Sequence, residues 1–221
     1  MIPFPVDPNW YQRYWLEEHA GRAPRLQALI GIVGLFRSMR NGVSASVDAG
    51  VPSSREVKPQ SVTPYRSSTF DSPIGVLKLV ASSSGLAAVV WENDDPKRVR
   101  LGPTSEDATD AILIEARRQL KAYFAGDLKV FTLRLDFRGT DFQKSVWEAL
   151  LTIPFGETRS YSDIVRQIGK PKASRAVGAA SGRNPIAIIA PCHRLIGSNG
   201  ALTGFAGGIA AQEYLLRLER A

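Results

Sequence analysis

The sequence predicts an α+β protein in which a small α/β domain at residues 64–138 precedes a mostly helical domain at residues 139–221. Three observations support this prediction. Apolar and polar residues alternate in short runs between 65 and 137, as they do in half-buried strands. A helical spacing of apolar residues at 107–124 interrupts those runs. In the second domain, short helical patterns follow one another and are separated by glycine-containing turns.

Residues 1–63 differ from the rest, and we expect them to form a poorly ordered extension and linker. Aromatic residues cluster at 10–15, and apolar residues with helical spacing at 26–36 are flanked by arginines. The segment 41–64 is rich in Ser, Val, Pro and Gly, which is typical of a linker. The basic apolar stretch could instead contact a membrane surface or a partner. It could also belong to a signal peptide, although the residues before the apolar stretch are long for an n-region.

Turns and periodicities predict the elements of the first domain. A strand–turn–strand pattern runs over 65–81, and a short apolar strand follows at 85–91. The helical spacing predicts a helix over 107–124, which Gly126 ends. Alternation then predicts a last strand over 130–137. Because this domain contains neither Cys nor His, we expect no soft-metal site in it.

The second domain is predicted to contain a helix-turn-helix. A first helix over 142–153 ends at the Pro-Phe-Gly sequence that follows it. Ser160 and Asp163 have the spacing of a capping box, which starts a second, short helix. A third helix is predicted over 173–181, after a Gly-Lys-Pro turn. Two short helices joined by a tight glycine-containing turn are typical of that motif.

Composition and charge restrict the possible functions. The chain has 221 residues, of which 44% are hydrophobic, and this excludes wholesale disorder. A single Cys excludes an internal disulfide framework and any multi-cysteine zinc or iron–sulfur site. No apolar run reaches the roughly 18–20 residues of a membrane span. The net charge of +7 favours a polyanionic partner, with nucleic acid first, unless the charge only aids solubility.

The one cysteine, Cys192, is the candidate nucleophile. It follows an apolar run and precedes His193 and Arg194. Neighbouring basic groups lower the pKa of a thiol and favour the reactive thiolate. Adjacent residues rarely face each other, so a bridging water would link His193 to the sulfur. Pro191 restricts Ala190 to extended conformations, which helps to hold the nucleophile in place. The alternative is that Cys192 is an inert buried residue.

A wider set of residues around Cys192 resembles one family. The stretch Pro-Cys-His-Arg at 191–194 is preceded by Asn184-Pro185 and followed by glycines at 200, 204, 207 and 208. In this context the chain is similar to O(6)-alkylguanine-DNA alkyltransferases, in register over 142–219. Residues 64–138 resemble, more weakly, the RNase-H-like amino-terminal domain of that family. The resemblance implies that the helix-turn-helix belongs to a winged-helix-like alkyltransferase domain.

The resemblance implies a catalytic role for five residues. Cys192 would accept the alkyl group, and His193 would be its water-linked base. Glu219 would be the carboxylate that completes this relay. Asn184 would tie the recognition helix to the active-site strand. Tyr161 would assist the flipped nucleotide and protonate the leaving guanine.

The resemblance also implies how the chain would bind DNA. The third predicted helix is rich in small residues, which allows close approach to the minor groove. Arg175 would enter the duplex where the flipped base has left. The other expected DNA contacts are Ser174, Ala176, Arg183 and Arg194. The expected partner is double-stranded DNA that carries an alkylated guanine, bound by a monomer in the cytoplasm and on the nucleoid.

The reaction implied is DNA repair by direct reversal of damage. The thiolate of Cys192 would displace guanine from the alkyl carbon, which gives S-alkylcysteine and intact guanine. A thioether has no good leaving group, and the chain has no second Cys to resolve it. We therefore expect a single turnover for each chain and no cofactor.

Four positions depart from the family pattern or bear on a metal. Phe205 stands where many relatives have Tyr, and Ala206 replaces a frequently polar loop residue. Gln212 stands where Lys is common, so a nearby cation is absent. These changes affect the expected rate and range of alkyl groups. His19 is the only Cys or His before the second domain, so we predict no zinc.

Three other functions stay open at this point. A lesion sensor would bind alkylated DNA without repairing it, although such relatives lack the Cys. A helix-turn-helix regulator would bind an operator sequence without covalent change. A cysteine hydrolase would use Cys192 and His193 with turnover, although adjacent positions form a direct hydrogen bond poorly.

Overall fold

The computed structural model describes residues 65–221. The expectations for residues 1–63 concern a part of the chain that lies outside the described residues. In chain order the elements are β1 (Tyr65–Ser72), β2 (Gly75–Ser82), β3 (Gly85–Trp91), β4 (Thr104–Glu106), α1 (Ala111–Phe124), α2 (Asp141–Leu151), β5 (Arg159–Ser160), α3 (Tyr161–Gln167), α4 (Ser174–Gly182), a 3-10 helix (Cys192–Arg194), β6 (Leu195–Ile196) and α5 (Ile209–Leu218). The α+β fold class is confirmed by the comparisons reported below.

We call residues 65–138 the first half of the described chain and residues 139–221 the second half. The first half contains a four-stranded sheet in the order β3-β2-β1-β4. β2 pairs antiparallel with both β1 and β3. The turn between β1 and β2 places Ser72 opposite Gly75, whose φ of 104° favours glycine. β4, which the sequence analysis did not predict, runs parallel to β1. Helix α1 starts at its N-cap Asp110, whose carboxylate accepts from two backbone N–H groups, and it packs on the sheet.

The predicted strand over 130–137 is wrong. Within the described residues, a single bridge between Leu135 and Leu86 stands where a strand ladder was expected. The alternation nevertheless marks burial correctly, because Phe131, Leu133 and Leu135 are all buried. An extended segment inserts every second side chain into a core, whether or not it belongs to a strand ladder.

The second half contains the predicted helix-turn-helix as α3 and α4. The capping box of α3 is confirmed, since Ser160 and Asp163 exchange side-chain to backbone hydrogen bonds. Those hydrogen bonds from Ser160 lower the pKa of Asp163 to about 2. α4 covers 174–182, one residue later than predicted. The buried core of this half is made by Val146, Trp147, Ala149, Leu150, Ile153, Ile164, Val165, Val177, Ala180, Cys192 and Leu195.

Backbone hydrogen bonds join the two halves at β3. Val89 N donates to Pro185 O at 2.9 Å, and Ala187 N donates to Val89 O at 3.1 Å. The segment that leads to Cys192 is therefore held against the sheet. The domain boundary between residues 138 and 139 stays a prediction. Among residues 65–221, no helix is long and apolar enough to cross a membrane.

Candidate active site around Cys192

Cys192 lies at the start of the 3-10 helix and lines an open cleft of about 670 Å³. Its side chain belongs to the core of the second half, and only 8% of the residue is exposed. Burial raises the pKa of the thiol, while a hydrogen bond from Asn184 opposes that rise. The cleft is lined by Tyr161, Ser162, Ser174, Arg175, Gly178, Ser181, Gly182, Cys192, Gly197, Ser198, Thr203, Gly204, Phe205 and Ala206.

Asn184 connects the end of α4 to the segment that carries the thiol. It is fully buried, and its Nδ2 donates to Ala190 O at 2.7 Å and to Cys192 Sγ at 3.1 Å. Its Oδ1 accepts from Ile186 N at 3.0 Å. The loop between Asn184 and the cysteine also holds Ile188 at a φ of 73°, a costly conformation for a β-branched residue. This amide therefore fixes both the loop and the sulfur.

His193 and Glu219 form a buried pair beside the cysteine. His193 Nε2 and Glu219 Oε1 are 2.7 Å apart, and both side chains are inaccessible to solvent. Burial lowers the pKa of His193 despite the carboxylate beside it. Burial also opposes ionisation of Glu219, but hydrogen bonds from His193 and Arg194 outweigh this and hold its pKa well below the usual range. A carboxylate partner requires the proton on Nε2, which leaves Nδ1 as the basic atom.

The free ring nitrogen of His193 is a polar atom that the site leaves available. Nδ1 is buried and has no hydrogen-bond partner among the described residues. An imidazole with its proton fixed on Nε2 by a carboxylate can accept a proton at Nδ1. The arrangement therefore provides a base on the residue that follows the buried cysteine in the chain.

Arg194 corrects an expectation. It was predicted to contact DNA, but only 6% of the residue is exposed. Its Nε donates to Glu219 Oε2 at 2.7 Å, its Nη2 donates to Oε1 at 2.9 Å, and its Nη1 donates to Ile153 O at 2.5 Å. A guanidinium occupied by a bidentate carboxylate and a carbonyl has no face left for a phosphate. Arg194 neutralises the buried Glu219 instead.

Tyr123 is a site residue that the sequence analysis missed. It is fully buried on α1, and its hydroxyl donates to Glu219 Oε1 at 2.6 Å. Burial and the neighbouring carboxylate both raise the pKa of Tyr123, so the phenol stays a donor. The two residues are 96 positions apart, and no local pattern indicates such a contact. The carboxylate is thus held by groups from both halves of the chain.

Aromatic side chains form part of the cleft lining. Tyr161 Oη accepts a hydrogen bond from Thr203 Oγ1 at 2.9 Å, and both residues line the cleft. Phe205 packs edge-on against Trp91, with ring centroids 5.2 Å apart, and also contacts the His193 ring. Trp91 comes from β3, so the first half of the chain supports this part of the lining. The sequence analysis did not identify Trp91 as a site residue.

Two of the three positions that depart from the family pattern, Phe205 and Gln212, keep a structural function. Phe205 provides the expected aromatic wall. Gln212 is fully buried, and its Nε2 donates to His193 O at 3.0 Å and to Leu195 O at 3.2 Å. The side-chain amide of Gln212 therefore holds the backbone of His193, at the position where the family commonly has a cation.

The predicted DNA contacts divide into two groups. Ser174, Arg175 and Ala176 are exposed at the start of α4, and the first two line the cleft. Arg183 is exposed at the other end of that helix and lies outside the cleft lining. Within 65–221, no group of three or more His, Cys, Asp or Glu side chains could hold a metal ion.

Two family models cover most of the described chain. The model of the 6-O-methylguanine DNA methyltransferase ribonuclease-like domain matches residues 65–137. The model of the DNA binding domain of the same methyltransferase matches residues 141–221.

Relatives of this chain carry consistent names. A Methanosarcina acetivorans protein named methylated-DNA–protein-cysteine methyltransferase is 53% identical over 150 residues, which are 68% of this chain and 95% of that protein. A Mycobacterium tuberculosis protein of the same name is 52% identical over 154 residues, covering 69% of this chain and 90% of that one.

Solved structures agree with these matches. The crystal structure of Mycobacterium tuberculosis OGT in complex with DNA is 51% identical and has a TM-score of 0.64, and the match covers 71% of this chain and 92% of that one. The structure of the O6-methylguanine methyltransferase from the same organism has a TM-score of 0.63 at 51% identity, over 72% and 93% of the two chains.

Proposed function

This chain belongs to the 6-O-methylguanine DNA methyltransferase family, and on that premise we propose that it repairs DNA by moving the alkyl group of O(6)-alkylguanine onto Cys192. One observation carries the choice of acceptor. The only thiol of the chain lines a cleft of about 670 Å³ and lies beside a buried imidazole–carboxylate pair. A cleft of that volume falls within the roughly 300–1,000 Å³ of small-molecule sites.

The target base must leave the duplex before it can reach the sulfur. An alkyl group at O6 lies on a base edge inside the stack, and flipping the nucleotide out costs a few kcal/mol. Arg175 is exposed at the start of α4 and lines the cleft. This exposed position supports a role in which Arg175 enters the space that the base leaves and so offsets part of the cost.

The thiol must lose its proton before it attacks. Burial raises the pKa of Cys192, so at neutral pH the resting sulfur keeps its proton. That proton passes through a bridging water to Nδ1 of His193, and the imidazolium is stabilised by Glu219. Asn184 then stabilises the thiolate through its hydrogen bond to Sγ.

The displacement breaks one bond and forms one bond. The sulfur electron pair attacks the alkyl carbon as the bond from that carbon to O6 breaks, and that bond's electrons leave with guanine. The leaving anion takes a proton from the hydroxyl of Tyr161, which lines the cleft. The tyrosinate regains a proton from solvent, and His193 later releases its own.

The product is stable, so each chain reacts once. S-alkylcysteine is a thioether, and no other cysteine exists to exchange with it. The step uses only the thiol, the imidazole, the phenol and water. We propose that one chain acts on one lesion as a monomer, in the cytoplasm and on the nucleoid, where a reducing environment protects the acceptor.

Mass measurement tests this function directly. The protein is mixed with duplex DNA that carries O(6)-methylguanine, and the intact chain and its peptides are weighed. We expect one added methyl group on the peptide that contains Cys192, with a plateau at equal stoichiometry. Multiple turnovers, or tight binding without an adduct, would contradict the proposal and favour a hydrolase or a lesion sensor.

A matched variant separates chemistry from binding. Cys192→Ser replaces the thiol by a much poorer nucleophile of similar size. We expect it to abolish transfer and to leave the affinity for DNA within about twofold, because binding depends on α4 and on phosphate contacts. Methylation at another residue in this variant would show that Cys192 is not the acceptor.

A further inference from the structure

A second groove lies where the two halves of the chain meet. Its volume is about 560 Å³, and it shares no lining residue with the Cys192 cleft. The described residues that line it include no carboxylate and five cationic side chains, which are Lys97, Arg98, Arg100, Arg138 and Arg183. We call this feature the basic groove.

Two of the five cations are already engaged. Arg98 pairs with Asp94 and also donates to Gly182 O at 3.2 Å and to Asn184 O at 2.9 Å. Arg138 pairs with Asp136 at 2.7 Å, although its own side chain is 56% exposed. Arg98 therefore builds the wall of the basic groove and attaches it to the end of α4.

The other three cations are available to a ligand. Lys97, Arg100 and Arg183 are exposed and have no ion-pair partner among the described residues. Several unpaired positive charges in one concavity repel one another and attract a polyanion. The site therefore fits a row of phosphates better than a neutral ligand.

The basic groove is continuous with the proposed DNA-binding helix. Gly182 lines the Cys192 cleft, and the next residue, Arg183, lines the basic groove. α4 has nine residues. A helix of that size is about 13 Å long, which is roughly four base-pair steps at 3.4 Å each. A duplex whose base enters the cleft beside Ser174 and Arg175 would thus reach the groove within a few base pairs.

From this placement we propose that the basic groove binds the phosphate backbone of the same duplex that carries the lesion. The inference rests on the proposed function and extends it, because it assigns DNA contacts to Lys97 and Arg100 in the first half of the chain. These residues take no part in the chemistry. They add affinity without reading sequence, and only when the duplex extends past the C-terminal end of α4.

The salt dependence of binding tests the proposal. The double variant Lys97→Gln/Arg100→Gln removes the two unpaired cations of the first half. Losing two phosphate contacts should reduce the slope of log K against log[salt] by about 1.8 and weaken binding about threefold to tenfold near 0.1 M salt. The control Arg118→Gln/Lys121→Gln removes the same charge from exposed positions of α1. An unchanged slope in the groove variant, or an equal loss in the control, overturns the proposal.

Duplexes with an off-centre lesion provide a second readout, which is the preference of the protein for a long flank on one side of the lesion. Two duplexes are prepared with the lesion near one end or near the other, so that each has one long flank. The parent protein should prefer one of them, and Lys97→Gln/Arg100→Gln should remove that preference. An equal preference in parent and variant overturns the proposal.

Transfer from the free O(6)-alkylguanine base separates the two proposals. This substrate carries no phosphate, so the groove variant should be alkylated at the parent rate. If the parent gives no adduct with this base or with DNA, the proposed function itself fails. If adducts form but Lys97→Gln/Arg100→Gln changes neither the salt slope of DNA binding nor the flank preference, only the groove inference fails.

Discussion

Removal of one hydroxyl group, by Tyr123→Phe, tests whether the first half of the chain tunes the reactive centre. The Tyr123 hydroxyl donates to Glu219 Oε1 at 2.6 Å. The same oxygen interacts with His193 Nε2 at 2.7 Å and with Arg194 Nη2 at 2.9 Å. The substitution keeps the packed ring and removes one of the three donors to the oxygen that holds the imidazole.

Both expected effects follow from that lost donor. A hydrogen bond to a charged group contributes about 1.5–3 kcal/mol, and since two donors remain we expect the free energy of unfolding to fall by about 2 kcal/mol. With fewer donors, the carboxylate of Glu219 favours the imidazolium form of His193 more strongly. The pKa of His193 then rises by up to about one unit, which corresponds to about 1.4 kcal/mol. Because neutral His193 is the proposed base, the acid limb of the transfer rate moves to higher pH.

Two measurements check these effects. Urea titration gives the free energy of unfolding, and single-turnover transfer from the free alkylated base gives the rate between about pH 5 and 9. Tyr214→Phe is the matched control, since its hydroxyl has no hydrogen bond to Glu219 among the described residues. A stability within about 0.5 kcal/mol of the parent, together with an unmoved acid limb, would refute the reasoning.

Three further substitutions have definite expected results. Hydrogen bonds hold the pKa of Glu219 below its ordinary 4.5, so the carboxylate stabilises the fold above that pH and this contribution is lost as the pH falls. Glu219→Gln should therefore make the unfolding free energy, measured by urea titration, depend less on pH in the acid range. The same substitution should slow transfer at least about tenfold. A Cβ at Gly207 would lie 2.3 Å from the Trp91 ring, so Gly207→Ala should lower the unfolding free energy by about 1–3 kcal/mol in the same titration. Asn184→Ala removes the donor that lowers the thiol pKa, and the pH at which iodoacetamide alkylates the thiol should rise, whereas an unchanged profile would contradict the role of the amide.

Local patterns predicted the elements that depend on neighbouring residues. The capping box at Ser160 and Asp163 was found because both partners lie within one helical turn. The alternation over 130–137 correctly predicted which side chains are buried. The strand that it also predicted is wrong, because strand pairing depends on which backbone lies alongside, and that is decided by the whole fold.

The site was predictable where residues are close in the chain and less so where they are distant. Cys192, His193 and Asn184 lie within ten positions, and Asn184 donates a hydrogen bond to Cys192 Sγ in the structure. Arg194 was assigned to DNA because a positive charge near a DNA site suggests a phosphate contact. In the structure it pairs instead with the buried carboxylate of Glu219. Tyr123 and Trp91 come from the other half, and only the folded chain brings them into contact with Glu219 and Phe205.

The positions of Trp91 and Trp147 provide two natural fluorophores for following the encounter with DNA. Trp91 contacts Phe205 on the cleft wall, and Trp147 donates to Ala180 O on the buried side of α4. Entry of a base against Phe205 should alter the emission of the first indole, and docking of the helix should alter that of the second. Because the sequence also contains Trp10 and Trp15, variants that keep only Trp91 or only Trp147 can time the two events separately, without an attached dye.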